Sequence, residues 1–276
     1  MGQSASRTST ERTDVRRYDT TTPANEWKAP VPTPQGQLPL TGERTVPGVS
    51  RENYWFRRHE VVYRWITAQS LATGTVIEAG CGEGYGADMI RATGTQVIAI
   101  DMDDAVIAHV RRTYPKVQTL QANLVDLPLR SGTADTVVCL QVIEHLWNLD
   151  EFLAECRRIL RPGGRLVVST PNRITFSPGL GRGEKPTNPF HVEEFDADQL
   201  VARLTDANFT SVQMHGLRHA PRLHDTDVVA RQVHAVLSDE WTQDLLDLVA
   251  GVTVADFGIG AITPDEDLDL IAIARR

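Results

Sequence analysis

Cysteine is scarce in this chain of 276 residues: only Cys81, Cys139 and Cys156 are present. Three thiols cannot pair completely, and each falls in a segment that reads as loop, strand or helix core. That excludes a disulfide framework and implies reduced thiols in a cytoplasmic protein. Long hydrophobic runs are missing too. No stretch approaches the roughly 18 apolar residues of a membrane span, and no signal-peptide core appears. The opening MGQSAS matches the short myristoylation pattern, although a flexible tail is the plainer expectation. Positive charge is in deficit, with 28 Lys and Arg against 36 Asp and Glu and a net charge of -8. A nucleic-acid partner would want a basic face, so none is expected. Internal repeats are absent as well.

What is present is organised. Residues 1–50 are rich in Thr, Ser, Pro, Arg and Gly and read as a flexible N-terminal segment. Residues 51–276 read as one domain, with 41% of the chain hydrophobic. Its first element is a helix over Glu52–Ile66, with Trp55, Val62, Tyr63 and Ile66 at helical spacing. Short strands rich in Val and Ile follow at 75–79, 96–101, 117–120, 135–140 and 165–170, separated by helices. In the stretch LDEFLAECRRILRPGG, Phe152, Leu153, Cys156, Ile159 and Leu160 form one stripe, and Pro162, Gly163 and Gly164 stop the helix. Such alternation predicts a doubly wound α/β fold. A polar loop to Pro189, a helix at 196–206, a strand at 209–215, a helical insertion at 224–250 and a strand at 268–274 complete the chain. The insertion region 216–267 is expected to act as a cap.

The stretch VIEAGCGEGYG (76–86) places glycines after a strand and before a helix, the geometry of a nucleotide loop. A P-loop would need Lys and Ser or Thr after the last glycine, and none is there. A dinucleotide loop starting at Gly80 would need glycine at position 85, which is Tyr. Glu78 also sits at the loop. A pyrophosphate 4 Å from a carboxylate is repelled by about 4 kcal/mol at an intermediate dielectric. S-adenosylmethionine (SAM) avoids this conflict. It carries no phosphate, and its sulfonium and ammonium are attracted by acids. Asp101, ending the second strand about twenty residues later, is placed for ribose hydroxyls.

At these residues the chain resembles the class I SAM-dependent methyltransferases. The resemblance rests on EAGCGEG (78–84), Asp101 of AIDMDD, ANLVDLPL (122–129), CLQVIEHL (139–146) and LRPGGRLVVSTPN (160–172). It implies an α/β, Rossmann-like seven-stranded sheet, order 3-2-1-4-5-7-6, with the last strand antiparallel and helices on both faces. It also implies cofactor contacts from Glu78, Gly80, Cys81, Gly82, Gly84, Asp101, Met102, Asn123, Leu124 and Gln141. Asn123 stands where many relatives have Asp; its amide oxygen can still accept from the adenine amino group.

A hydroxyl nucleophile needs a base beside the transferred methyl. Glu144 and His145 of IEHL lie where related O-methyltransferases of ubiquinone biosynthesis carry an EH pair, which makes His145 the leading candidate. His191 of NPFHVEEF is the second, as base, substrate contact or simple helix-docking group. Glu144, His145, His191, Glu193 and Glu194 could ligate a divalent ion, but nothing in the spacing demands one and no metal is expected.

Arg173, Arg182, Lys185, Arg218, His219, Arg222 and His224, with Trp55, Trp147 and Trp241 as flat surfaces, suit a polyhydroxylated acceptor; they also suit an ordinary solvated lid, which is the default reading. Residues 38–66 resemble actinobacterial methyltransferases associated with methylglucose lipopolysaccharides. That resemblance implies O-methylation of a sugar hydroxyl in an oligo- or polysaccharide. A lipid, quinone or small secondary metabolite is the competing acceptor, and a SAM-binding protein without turnover is the non-enzymatic alternative.

Overall fold

The computed structural model describes Leu38 and residues 44–276. The expected flexible segment 1–50 and the MGQSAS pattern fall largely or wholly outside the described residues. The first helix, α1 (Asn53–Ala68), leads into β1 (Thr75–Ala79), α2 (Tyr85–Arg91), β2 (Gln96–Asp101), α3 (Asp104–Thr113), β3 (Gln118–Gln121) and β4 (Ala134–Leu140). A single 3₁₀ turn, Ile143–His145, precedes α4 (Leu149–Ile159) and β5 (Leu160–Pro171). Then come α5 (Arg173–Phe176), α6 (Ala197–Asp206), β6 (Thr210–His219), α7 (Pro221–His224), α8 (Val228–Ser238), α9 (Gln243–Ala250), β7 (Phe257–Gly260) and β8 (Asp269–Arg275).

Among the described residues, eight strands form one sheet, in the order β3-β2-β1-β4-β5-β8-β6-β7. The first five pair in parallel, whereas β8 runs antiparallel to both β5 and β6. The expected seven-strand order must therefore be corrected by one strand. With β8 counted as the seventh, the order 3-2-1-4-5-7-6 is present, but β7 adds an antiparallel edge to β6 through Gly216–His219 and Phe257–Gly260. The region expected to be only a cap thus contributes a strand of its own.

Alternate strand residues feed two cores. Val76, Val138, Val167 and Ile271 pack beneath α1, α2 and α3, while Ile77, Val137, Leu166 and Val168 pack against α4 and α6. A strand apolar on both faces is what a sheet covered by helices on both sides requires. At the start of β5, Leu160 pairs with Ala134 and Arg165 with Thr136, so the residues between them loop out. The Pro-Gly-Gly stretch therefore bulges within the strand, and the helix has already ended at Ile159.

The parallel strands point their carboxyl ends at one edge, where ligands of such sheets bind. Because β8 is reversed, its first residue, Asp269, lies opposite Pro171 at that same edge. Asn172 ties the edge together: its amide donates to the carbonyls of Pro264 (2.7 Å) and Asp267 (2.8 Å), and its Oδ1 caps α5.

Candidate functional site

The glycine loop leaves β1 with its backbone pinned to the neighbouring strand. The N–H groups of Gly80 and Cys81 both donate to the Ile100 carbonyl, each at 2.9 Å. Gly82 N–H donates to Asp101 Oδ2 at 3.1 Å, and Asp101 Oδ1 accepts from Asp103 N–H at 3.1 Å. Gly80 and Gly84 have φ of +77° and +79°, the left-handed region that favours glycine. A side chain at Gly80 would also strike Val142, which packs the turn after β4 directly onto the loop.

Glu78 does not stand at an open rim. It is buried, and its Oε1 accepts from the Tyr63 hydroxyl at 2.6 Å. Burial lifts its carboxyl to about 8, against the pull of Tyr63 and the Ala87 N–H. Its Oε2 is buried without a partner. Glu83 is buried as well, 2.9 Å from Nε2 of His109, and burial raises it to about 7 despite Arg44. Cys81 is a buried free thiol whose pKa burial pushes up, so it is no nucleophile.

On the other side of Asp101 the site is open. Met102 is 72% exposed, an unusual position for a large apolar side chain. Asn123 is exposed with its Oδ1 accepting from Val125 N–H at 3.2 Å, and Leu124 is buried beneath it. The Ala122 N–H donates to the Asp101 carbonyl and holds this turn beside β2. Gln141, just past β4, has φ of +56°, a strained backbone for a non-glycine residue. Its amide donates to Ser169 Oγ and Asp269 Oδ1, each at 3.2 Å.

The second cluster is assembled by backbone. The carbonyl of Glu144 accepts from Val192 N–H at 2.6 Å, which docks the 188–195 segment on the turn carrying Glu144 and His145. The His145 and His191 rings then meet edge to face at 5.0 Å. His145 Nδ1 lies 2.9 Å from the Phe190 carbonyl. A carbonyl can only accept, so the proton sits on Nδ1 and the lone pair on Nε2. That Nε2 lies 4.0 Å from Glu144 Oε1. Glu144 is buried and accepts from Thr170 Oγ1 at 3.1 Å; burial lifts it to about 7, with His191 opposing.

His191 is committed at both nitrogens. Nδ1 faces Glu194 Oε1 at 2.6 Å, and Nε2 accepts from Asn188 Nδ2 at 3.0 Å. The Asn188 orientation is fixed by its Oδ1, which takes the Phe190 N–H at 3.0 Å. One ligand atom from each of Glu144, His145 and His191 lies within 4.8 Å of the others.

Helix α1, whose role the sequence did not reveal, spans both halves of the site. Tyr63 holds Glu78 at the cofactor loop. One turn and a half earlier, Arg58 donates from Nε to Asp269 Oδ2 at 2.8 Å and from Nη2 to Asp269 Oδ1. Both side chains are buried. His59 on the same helix contacts the Tyr85 hydroxyl at 3.2 Å, and burial with Arg58 lowers it to about 3. The Tyr54 hydroxyl shares a hydrogen bond with Nε2 of His219 at 2.8 Å, and burial and then Arg58 hold that histidine at about 4.

Four of the arginines weighed as acceptor contacts or as a solvated lid are engaged in ion pairs. Arg173 and Arg182 both bind Asp196, Arg218 binds Asp267, and Arg222 binds Asp256. Trp147 is 86% exposed, and Trp241 lies under the Arg51 guanidinium. Among the described residues, no helix is long and apolar enough to cross a membrane.

Comparison with known proteins places this site in a family. Residues 77–168 match the family model described as a methyltransferase domain. Over 250 residues the chain is 52% identical to a Mycobacterium tuberculosis protein named "Probable S-adenosylmethionine-dependent methyltransferase", covering 87% of this chain and 90% of that one. A ubiquinone biosynthesis O-methyltransferase of Rickettsia akari is 27% identical over 179 residues, 59% of this chain and 71% of that protein. In fold, a SAM-dependent methyltransferase of Thermotoga maritima superposes with a TM-score of 0.57 at 17% identity, covering 80% and 92% of the two chains.

The residues present suit SAM. The orphaned Glu78 Oε2 is a buried acceptor for a cationic group, and the loop backbone is already pinned without a phosphate to cradle. The chain belongs to the class I S-adenosylmethionine-dependent methyltransferases.

Proposed function

We propose that the chain methylates a sugar hydroxyl of an oligo- or polysaccharide of the methylglucose lipopolysaccharide type. One observation carries the O-methylation: His145 has its proton locked on Nδ1 by a backbone carbonyl, so Nε2 is an available proton acceptor. The name of the Rickettsia akari relative supports transfer to oxygen. The resemblance over residues 38–66 supports the sugar. So does the polar edge built from Gln141, Asp269 and the histidines, flanked by the rings of Phe176 and Trp55. Three free, buried cysteines agree with a reducing, cytoplasmic setting.

SAM supplies a methyl group already activated on a sulfonium. The chain's own work is alignment and proton removal. Gly80, Cys81, Gly82 and Gly84 shape the loop, and Glu78 receives the ammonium end. Asp101 accepts from the ribose, while Met102, Asn123 and Leu124 enclose the adenine. Gln141 closes the methionine side. In the chain by itself the hydroxyl proton passes to His145 Nε2, with buried Glu144 nearby to stabilise the imidazolium. His191, held at both nitrogens, acts as a positioning residue.

Incubation with isotopically labelled SAM and a panel of gluco- and manno-oligosaccharides, quinols and lipid phenols tests this reading. Label in a sugar ether, located by product NMR, is expected. Label only in a quinol or lipid would overturn the sugar assignment.

A further inference from the structure

We propose that Glu144, His145 and His191 are the ligands of a divalent first-row transition cation, Zn²⁺ or Mn²⁺ in class, that grips two adjacent hydroxyls of the acceptor. The diol rests on the sugar reading above; the cation does not.

Three observations converge. First, the geometry is close to that of a site. The candidate ligand atoms lie within 4.8 Å of one another, and Glu144 Oε1 is 4.0 Å from His145 Nε2. Ligands held at about 2.1 Å around one ion lie roughly 3.0–3.4 Å apart, so closure needs each side chain to move inward by less than about 1 Å.

Second, each imidazole is prepared in the same way. Nδ1 of His145 is held by the Phe190 carbonyl, and Nδ1 of His191 by the Glu194 carboxylate. An oxygen on Nδ1 that fixes the tautomer and turns Nε2 outward is the usual outer-sphere support of a metal-binding histidine.

Third, one acceptor is left over. Glu144 and Glu194 are both buried, and Glu194 Oε2 has no partner. A buried carboxylate oxygen left unpaired is costly, and a dication close by offsets it. Asn188 Nδ2 now caps His191 Nε2 and must give way, while its Oδ1 stays on Phe190.

Two imidazoles and one carboxylate favour zinc or manganese over magnesium, which prefers oxygen ligands. Three protein ligands leave coordination positions open for substrate oxygens. The cation lowers the proton affinity of the hydroxyl it holds. The O–H bond breaks and its proton leaves to solvent. The oxygen forms a bond to the methyl carbon as the carbon–sulfur bond breaks, its electron pair going to sulfur. His145 Nε2 is then a ligand and no longer the proton acceptor, so the two uses of that lone pair exclude each other.

Calorimetry on chelator-treated full-length protein, titrated separately with Zn²⁺, Mn²⁺ and Mg²⁺, decides the matter. One Zn²⁺ or Mn²⁺ per chain is expected, with affinity reduced at least tenfold by His191→Asn and by Glu194→Gln. Circular dichroism confirms that each variant is folded. Absence of saturable binding, or binding untouched by both substitutions, would overturn the site. Full turnover of a sugar acceptor by the metal-stripped enzyme would overturn the cation's part in the reaction and leave His145 as base. Stoichiometric binding without methylation of any sugar would uphold the site and sink only the acceptor assignment.

Discussion

Removing the carboxylate of Asp269 should unlatch α1. Arg58 and Asp269 have side chains exposed by only 2% and 1%, so water screens their attraction very little. Two guanidinium nitrogens reach the two carboxylate oxygens, and the Gln141 amide shares one of them. In Asp269→Ala the guanidinium keeps the Leu268 carbonyl at 3.1 Å and otherwise stays buried and unpaired. Breaking such a pair from one side costs about 3–5 kcal/mol. For a domain of this size each kcal/mol shifts Tm by about 2–4 °C, so the midpoint should fall by roughly 6–20 °C. Scanning calorimetry with circular dichroism measures it. The double variant Arg58→Met/Asp269→Leu removes both charges and should recover most of the loss, because apolar replacements of buried pairs are often neutral. A Tm change under about 2 °C in Asp269→Ala, or a double variant worse than the single, would refute the argument that the latch is electrostatic.

His145→Gln, which removes Nε2 as base or as ligand, should lower turnover by about 10²–10⁴-fold and leave binding of S-adenosylhomocysteine unchanged, as read by steady-state kinetics and calorimetry. Asp101→Ala removes the acceptor of the Gly82 and Asp103 N–H groups and should weaken cofactor binding by about 1.5–3 kcal/mol; equal calorimetric affinities would withdraw the ribose assignment. Gly86→Ala would push a methyl into Tyr63 and Glu78, so cofactor affinity should drop with little change in secondary structure by circular dichroism. Glu78 also gives a pH signature. Its carboxyl is raised from 4.5 to about 8 in the fold, so its stabilising proton is fully present below the unfolded value and is lost as pH rises toward 8. Cofactor-free wild type should therefore lose Tm more steeply than Glu78→Gln between about pH 5 and pH 9; parallel curves would contradict the assignment.

Local pattern carried most of the fold. The glycine loop, Asp101 and the alternating strands were legible because each lies within one short window of sequence. The edge strand β7 was not, since its four residues, FGIG, are too short a run to carry a period and half of them are glycine. The bulged start of β5 was hidden for a related reason: Pro162 and two glycines read as a stop, yet the strand runs through them. In the site, His145 and His191 were visible as motifs, but their meeting depends on a backbone bond from Val192 to Glu144. Tyr63 and Arg58 were passed over because their partners lie 15 and 211 residues away, beyond any periodic signal. The loop arginines show the opposite case. Exposed charge in a polar segment looks available, while Asp196, Asp256 and Asp267, which occupy it, sit elsewhere in the chain.

The reversed strand β8 has a consequence for biosynthesis. It comes after every other strand in chain order, yet it is inserted between β5 and β6. While the ribosome is still making it, the first five strands can assemble, but β6 and β7 have nothing to pair with on that side. Arg58 likewise has no carboxylate to hold α1 across the cleft. The catalytic edge is therefore completed only once β8 has been made, and until then the outer edge of β5 is a bare template open to wrong pairing.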